Sequence, residues 1–153
     1  MNNIYKEKLN KLEVVRISIS QNKSSKIYNS IVKRANLFDI FFMKNKAIDT
    51  MISGLKESLT DLEKSSAFIY IGLLYVDLKE YNKASEYLHK GLKIVEHQEF
   101  YFSPNFSKII KIFIKNEELE KATYWLENFN RRIPFDKKFS KLGNINTYIK
   151  VGK

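Results

Sequence analysis

The chain holds two histidines, and one has a carboxylate at a spacing that could do chemistry. Glu86-Tyr-Leu-His89 is the Glu-x-x-His pattern that sets two ligands on one helix face in di-iron bundles. Such a centre needs a second copy of the motif and two further glutamates, and only one motif is present. A solvated pair is the better reading. His97 falls near an expected helix C-terminus, where a partly positive ring is favoured. Glu117, Glu118 and Glu120 crowd one polar turn, a solvated face. The chain has no cysteine, which removes disulfides, thiolate nucleophiles and Cys-based zinc sites. No GxxxxGK[ST] or GxGxxG phosphate loop occurs, nor a G-x-S-x-G elbow. A non-enzyme is expected, with no cofactor and no metal.

Arg131, Arg132, Lys137, Lys138 and Lys141 form the densest basic cluster, interleaved with Phe135 and Phe139. Cations in such a cluster can release counterions from nucleic acid. The competing reading is the polar face of a capping helix, with Phe135, Phe139 and Leu142 packed inward; it is preferred. Net charge is +10 and unevenly spread. Residues 1–56 carry +7, residues 57–127 carry −3 and residues 128–153 carry +6. Basic ends around a mildly acidic middle point to nucleic acid less than a uniformly basic fold would. A nucleic-acid-associated regulator is therefore the alternative function.

The elements that position these residues read as helices. Five glycines and two prolines are too few for the turns of a β-sandwich or barrel. Apolar residues recur at three- and four-residue spacing in Tyr81–Val95, Phe106–Ile114 and Leu119–Phe129. Thr60-Asp-Leu-Glu63 has capping-box spacing. Ser103-Pro104 places a cap before a proline at the first helical position. Asn116-Glu117-Glu118 reads as a cap followed by first-turn acids. Eight helices are expected, near 3–20, 26–42, 45–58, 61–78, 81–97, 104–115, 117–131 and 136–150, in a single domain over 1–153. The opening residues lack the apolar core of a signal peptide. The apolar run Ala67–Val76 is half the length of a spanning helix. No membrane span and a cytoplasmic location are expected.

The chain also repeats. A Lys-Ala pair recurs at an almost constant interval, as Lys46-Ala47, Lys83-Ala84 and Lys121-Ala122. Four residues after each alanine stands Met51, Leu88 or Leu126, and seven after stands Gly54, Gly91 or Phe129. Nine before stands Phe38, Tyr75 or Phe113, and twelve before stands Ala35, Gly72 or Ile110. This pattern resembles the tetratricopeptide repeat, whose unit is two antiparallel helices with small residues where they cross. The middle unit matches best, through Phe68, Ile71, Gly72, Tyr75, Tyr81, Ala84, Leu88 and Gly91. Departures include Arg34 at a leucine position, Ile110 at a small-residue position and a period longer than the family's.

The resemblance implies an all-α solenoid of three stacked hairpins, approximately 28–60, 61–98 and 103–135. An N-terminal helix would precede them and a capping helix, 136–150, would follow. It also implies a non-catalytic module that binds a peptide or protein on its concave face. The family's contact positions fall on Asn29, Val32, Asn36, Ile69, Leu73, Asp77, Lys111 and Lys115, with Lys33 and Lys108 beside the row. Asn36 matches one position of the family's carboxylate-binding set, but Val32 and Tyr70 replace its Lys and Asn, so that clamp is not expected. The open ends of such a stack would suit pairing of two copies. The long period and Lys/Asn/Ile-rich make-up are also similar to the repeat region of bacterial peptide-pheromone receptors. The stretch before the first unit is too short for the helix-turn-helix domain of those regulators.

Overall fold

The structure, a computed structural model, describes residues 25–145. It is all-α: among the described residues there are six α-helices, one 3-10 helix and no strand. They are α1 (Lys26–Ile40), α2 (Lys44–Gly54), α3 (Asp61–Asp77), α4 (Tyr81–Ile94), α5 (Asn105–Lys115), α6 (Leu119–Asn130) and the 3-10 helix Lys137–Ile145. The helix expected near 3–20 lies outside the described residues. No described helix is long and apolar enough to cross a membrane. Two compact units divide after Val95. The first contains the pairs α1–α2 and α3–α4, with α2 also against α3. The second contains the pair α5–α6 and the 3-10 helix.

Each helix pair closes through the same turn. Phe42, Lys79 and Glu117 take φ of 60°, 61° and 61°. The next residue's N–H reaches back five positions, from Met43 to Phe38 O, Glu80 to Tyr75 O and Glu118 to Phe113 O, each at 2.9 Å. Inside that bond, Phe42, Lys79 and Glu117 donate to Asp39 O, Val76 O and Ile114 O, each at 3.0 Å. This is the Schellman arrangement, which satisfies carbonyls left open at a helix C-terminus. It corrects the reading of Asn116-Glu117-Glu118 as an N-cap with first-turn acids. Asn116 ends α5, Glu117 is the left-handed residue, and Glu118 precedes α6 without a side-chain cap. The same turns shorten the expected helices: α1 stops at Ile40 because Phe41 and Phe42 belong to the turn.

The Lys-Ala pairs have a packing reason. Ala47, Ala84 and Ala122 are fully buried. The lysine before each lies over the aromatic ring of the preceding helix: Lys46 over Phe38 at 6.0 Å, Lys83 over Tyr75 and Lys121 over Phe113, both at 5.4 Å. Glycines let the paired axes come close. A Cβ on Gly91 would sit 2.9 Å from Ser65 O, and one on Gly72 would sit 2.6 Å from Leu88 Cγ. Both contacts are inside van der Waals range, so these are packing glycines rather than turn glycines.

In the first unit a buried carboxylate ties two helix starts together. Thr60 caps α3 and Glu63 returns the bond: Glu63 N donates to Thr60 Oγ1 at 3.3 Å and Thr60 N to Glu63 Oε2 at 2.9 Å. The other carboxylate oxygen accepts from Ser25 N at 2.7 Å, and Ser25 Oγ caps α1 at Tyr28 N. Burial alone would raise the Glu63 pKa, but the donors from Thr60 and Ser25 outweigh it and hold the carboxyl below its ordinary range.

In the second unit the pin is cationic. Arg132 is buried. Its guanidinium donates to Gln98 O at 3.1 and 2.8 Å, to Glu96 O at 2.8 Å and to Asn128 O at 2.8 Å, and also meets Asn128 Oδ1. It lies 4.1 Å from the Phe100 ring centre. Asp136 accepts from Phe102 N at 2.9 Å and Lys138 N at 3.0 Å, and those bonds lower its pKa. Around them Phe100, Phe102, Phe106, Phe129 and Phe139 form an aromatic core, Phe106 and Phe129 at 4.6 Å. Ser103 caps α5 as its spacing suggests, its Oγ accepting from Asn105 N at 3.2 Å.

The expected α-helical cap is instead 3-10. Phe139, Leu142 and Ile145 are buried at an interval of three, which a helix of three residues per turn places on one face. Phe135 does not join them; it is exposed and packs on Tyr101 at 5.0 Å.

Candidate functional site

The contact residues implied by the resemblance fall on α1 and α3 in the first unit and on α5 in the second. On α1, Asn29 and Lys33 are exposed and Val32 and Asn36 half-buried. On α3, Ile69 is half-buried, Asp77 is exposed and Leu73 is only 6% exposed. Leu73 is thus better placed to support this face than to touch a partner.

A polar network joins several of these residues. Tyr70 OH donates to Asn36 Oδ1 at 2.7 Å. Burial, then the carboxylates of Asp39 and Asp77, push the Tyr70 pKa up, so the phenol keeps its proton and remains a donor. With its oxygen taken by Tyr70, the Asn36 amide turns its nitrogen, a double donor, away from that contact. Lys44 at the start of α2 donates to Asp39 Oδ1 and Asp77 Oδ2, each at 3.0 Å. Burial works against the Lys44 charge, but Asp77 and Asp39 overcome it and raise its pKa. One ammonium thus bridges carboxylates from α1 and α3.

Tyr70 and Lys44 are invisible as site residues in the sequence. Tyr70 reads there as a mismatch to the family's asparagine. Lys44 sits just past a turn, in no motif, and its partner Asp77 lies on another hairpin. Phe41 and Phe42, strongly exposed beside it, carry no signal either, since a helix expected to run to 42 absorbs them.

In the second unit Lys108, Lys111 and Lys115 are exposed along one face of α5, spaced by three and four. Of the alternative cluster, Arg131, Lys137, Lys138 and Lys141 are exposed. Arg132 is not available to a phosphate, because its donors are committed to carbonyls inside the unit. Glu86 is exposed and His89 half-buried on α4. Among the described residues no group of three or more His, Cys, Asp or Glu is placed to hold a metal ion.

A shallow cleft of about 260 Å³ opens between α1 and α2, lined by Ile31, Arg34, Asp49, Ser53 and Glu57 among others. It contains none of the expected contact residues. Compared with known proteins, the chain matches no family model, no curated protein and no solved structure.

Proposed function

We propose that this chain is a non-catalytic binding module of tetratricopeptide-like hairpins that holds a peptide or protein segment on the α1/α3 face of its first unit. The observation that carries the reading is the Tyr70–Asn36 hydrogen bond. It fixes an amide among Val32, Ile69 and Leu73, where an extended peptide backbone would meet both an apolar surface and an oriented donor. The repeated turn and the glycine-mediated helix crossings support the hairpin part of the proposal. In the second unit, Lys108, Lys111 and Lys115 on α5 would suit acidic residues of a partner.

A random peptide display library, selected on the immobilised full chain, tests the reading. Peptides whose binding falls at least about tenfold with Asn36→Ala or Ile69→Asp, a loss of about 1.4 kcal/mol, support it. Selection that yields only peptides indifferent to both changes overturns it. Leu73→Asp is unsuitable here, since a buried leucine changed to a charge would damage the fold itself.

A further inference from the structure

The two hairpins of the first unit treat the same face differently. On α3, Ile71 and Leu74 are fully buried, with α2 packed against the helix. Their counterparts one repeat earlier, on α1, are Arg34 and Leu37, and both are exposed. Ile27, Leu37 and Phe41 are 46%, 56% and 65% exposed. With Arg34 they form one stripe, at intervals of seven, three and four along α1 (Phe41 in its C-terminal turn), which is a single helical face. The α1–α2 cleft, with Asp49 and Glu57, borders it. So α1 presents a helix-packing face that no described helix covers.

We propose that this face is covered by the chain's own segment 1–24, as a helix running antiparallel to α1. Three observations select that occupant. The segment reaches α1 at Ser25, whose N–H is fixed by Glu63, so it starts beside the stripe. Counted backwards, Ile19, Leu12, Leu9 and Tyr5 repeat the intervals of seven, three and four. An antiparallel pair therefore sets Ile19 against Ile27, Leu12 against Arg34, Leu9 against Leu37 and Tyr5 against Phe41. Charge agrees. Residues 1–24 carry five Lys/Arg against two Glu, while Asp49 and Glu57 outnumber Arg34 at the cleft. Glu13, next to Leu12 in sequence, falls beside Arg34 and answers the one charge within the stripe. A second copy is the poorer occupant, since two chains of +10 repel each other. The proposal holds whether or not the α1/α3 face binds a peptide.

The absence of cysteine makes the test clean. Two double variants of the full chain, Leu9→Cys/Leu37→Cys and Tyr5→Cys/Ile27→Cys, are treated with a short bismaleimide, and linked species are read by denaturing gel and mass spectrometry. Docking in the stated register brings positions 9 and 37 together. It leaves positions 5 and 27 about 21 Å apart, at roughly 1.5 Å of helix rise per residue. The expected result is intramolecular linkage at 9/37 at least about tenfold faster than at 5/27, from the higher effective concentration. Equal rates in the two variants mean an undocked segment and overturn the proposal. Dimers linked through position 37 mean that a second copy covers the stripe and overturn it too. All four positions are exposed or lie before the first described helix, so misfolding does not confound the comparison. Hydrogen exchange of α1 in Leu9→Glu/Leu12→Glu gives a second reading: faster exchange than in the parent chain supports docking, and unchanged exchange overturns it.

Discussion

The two units solve one problem with opposite charges. In the first, a buried carboxylate, Glu63, accepts from the backbone N–H groups of Ser25 and Thr60 at two helix starts. In the second, a buried guanidinium, Arg132, donates to backbone carbonyls of Glu96, Gln98 and Asn128. Helix starts leave N–H groups open and helix ends leave carbonyls open. An anion suits the first situation and a cation the second. In each case the backbone around the buried charge supplies the counter-dipoles. The difference is in titration: a carboxylate can be neutralised by acid, whereas arginine keeps its charge.

Removing Arg132 should have the largest effect. Arg132→Met keeps the stem over Phe100 but leaves buried carbonyls without donors. We expect a loss of about 3–5 kcal/mol, as when a buried charge arrangement loses one side, seen as a lowered urea midpoint. Arg132→Lys should recover little of it, because one ammonium cannot span the Gln98, Glu96 and Asn128 carbonyls that the planar fork reaches. If Arg132→Met unfolds with the parent, the second unit does not depend on its pin and the comparison breaks.

Glu63→Gln comes next, at about 2 kcal/mol, because an amide nitrogen must now face one of two N–H donors. The pH response sharpens the contrast. The folded pKa of Glu63 lies below its ordinary value, so the unfolded chain takes up the proton more readily. Its stabilisation is therefore complete above about pH 4.3, the ordinary value for Glu, and is lost as pH falls through the folded pKa. Asp136 titrates in the same direction, while Arg132 does not titrate there. On acidification, amides at the starts of α1 and α3 should lose hydrogen-exchange protection before those held by Arg132. In Glu63→Gln that acid dependence should flatten. Equal acid loss at both places in the parent chain would remove the distinction.

A smaller effect is expected at Gly91. Alanine is the better helix former by about 1 kcal/mol, but its Cβ would press on Ser65 O, which is backbone and cannot swing aside. Overpacking of this kind costs about 1–3 kcal/mol, leaving a net loss of about 1 kcal/mol by thermal unfolding. An increase in stability would show that α3 and α4 can separate freely.

How much of this is legible depends on range. The Thr60–Glu63 box, the Ser103 cap and the Lys-Ala pairs involve residues within a few positions of each other, or a recurring spacing, and the sequence displays both. The second partner of Glu63 is Ser25, a whole hairpin earlier, and no local pattern announces it. Arg132 misleads for a related reason: five cations in so short a run look like a surface, and only the folded path of Glu96–Gln98 reveals carbonyls waiting for one of them. The turns hide as well. A left-handed residue is usually signalled by glycine or asparagine, and here the position is filled by Phe42, Lys79 and Glu117. The face of α1 and α3 is half legible. Asn36 and Asp77 follow from the resemblance, whereas Tyr70 and Lys44, which orient them, emerge only from the packing.

The smallest change probes the comparison from the other side. The Tyr28 hydroxyl is buried in the first unit without a hydrogen-bond partner among the described residues. Burial pushes its pKa up, with Ser66 pulling the other way. If burial of a polar group were itself stabilising, Tyr28→Phe would cost as much as a normal hydrogen bond, about 1 kcal/mol. If stabilisation requires that the backbone answer the group, as it does for Glu63 and Arg132, the hydroxyl contributes only its desolvation cost. Tyr28→Phe should then leave the urea midpoint unchanged or raise it, by up to about 1 kcal/mol, with the aromatic packing intact. A loss beyond that would mean the hydroxyl has a partner after all, and that the first unit has a second polar pin beside Glu63.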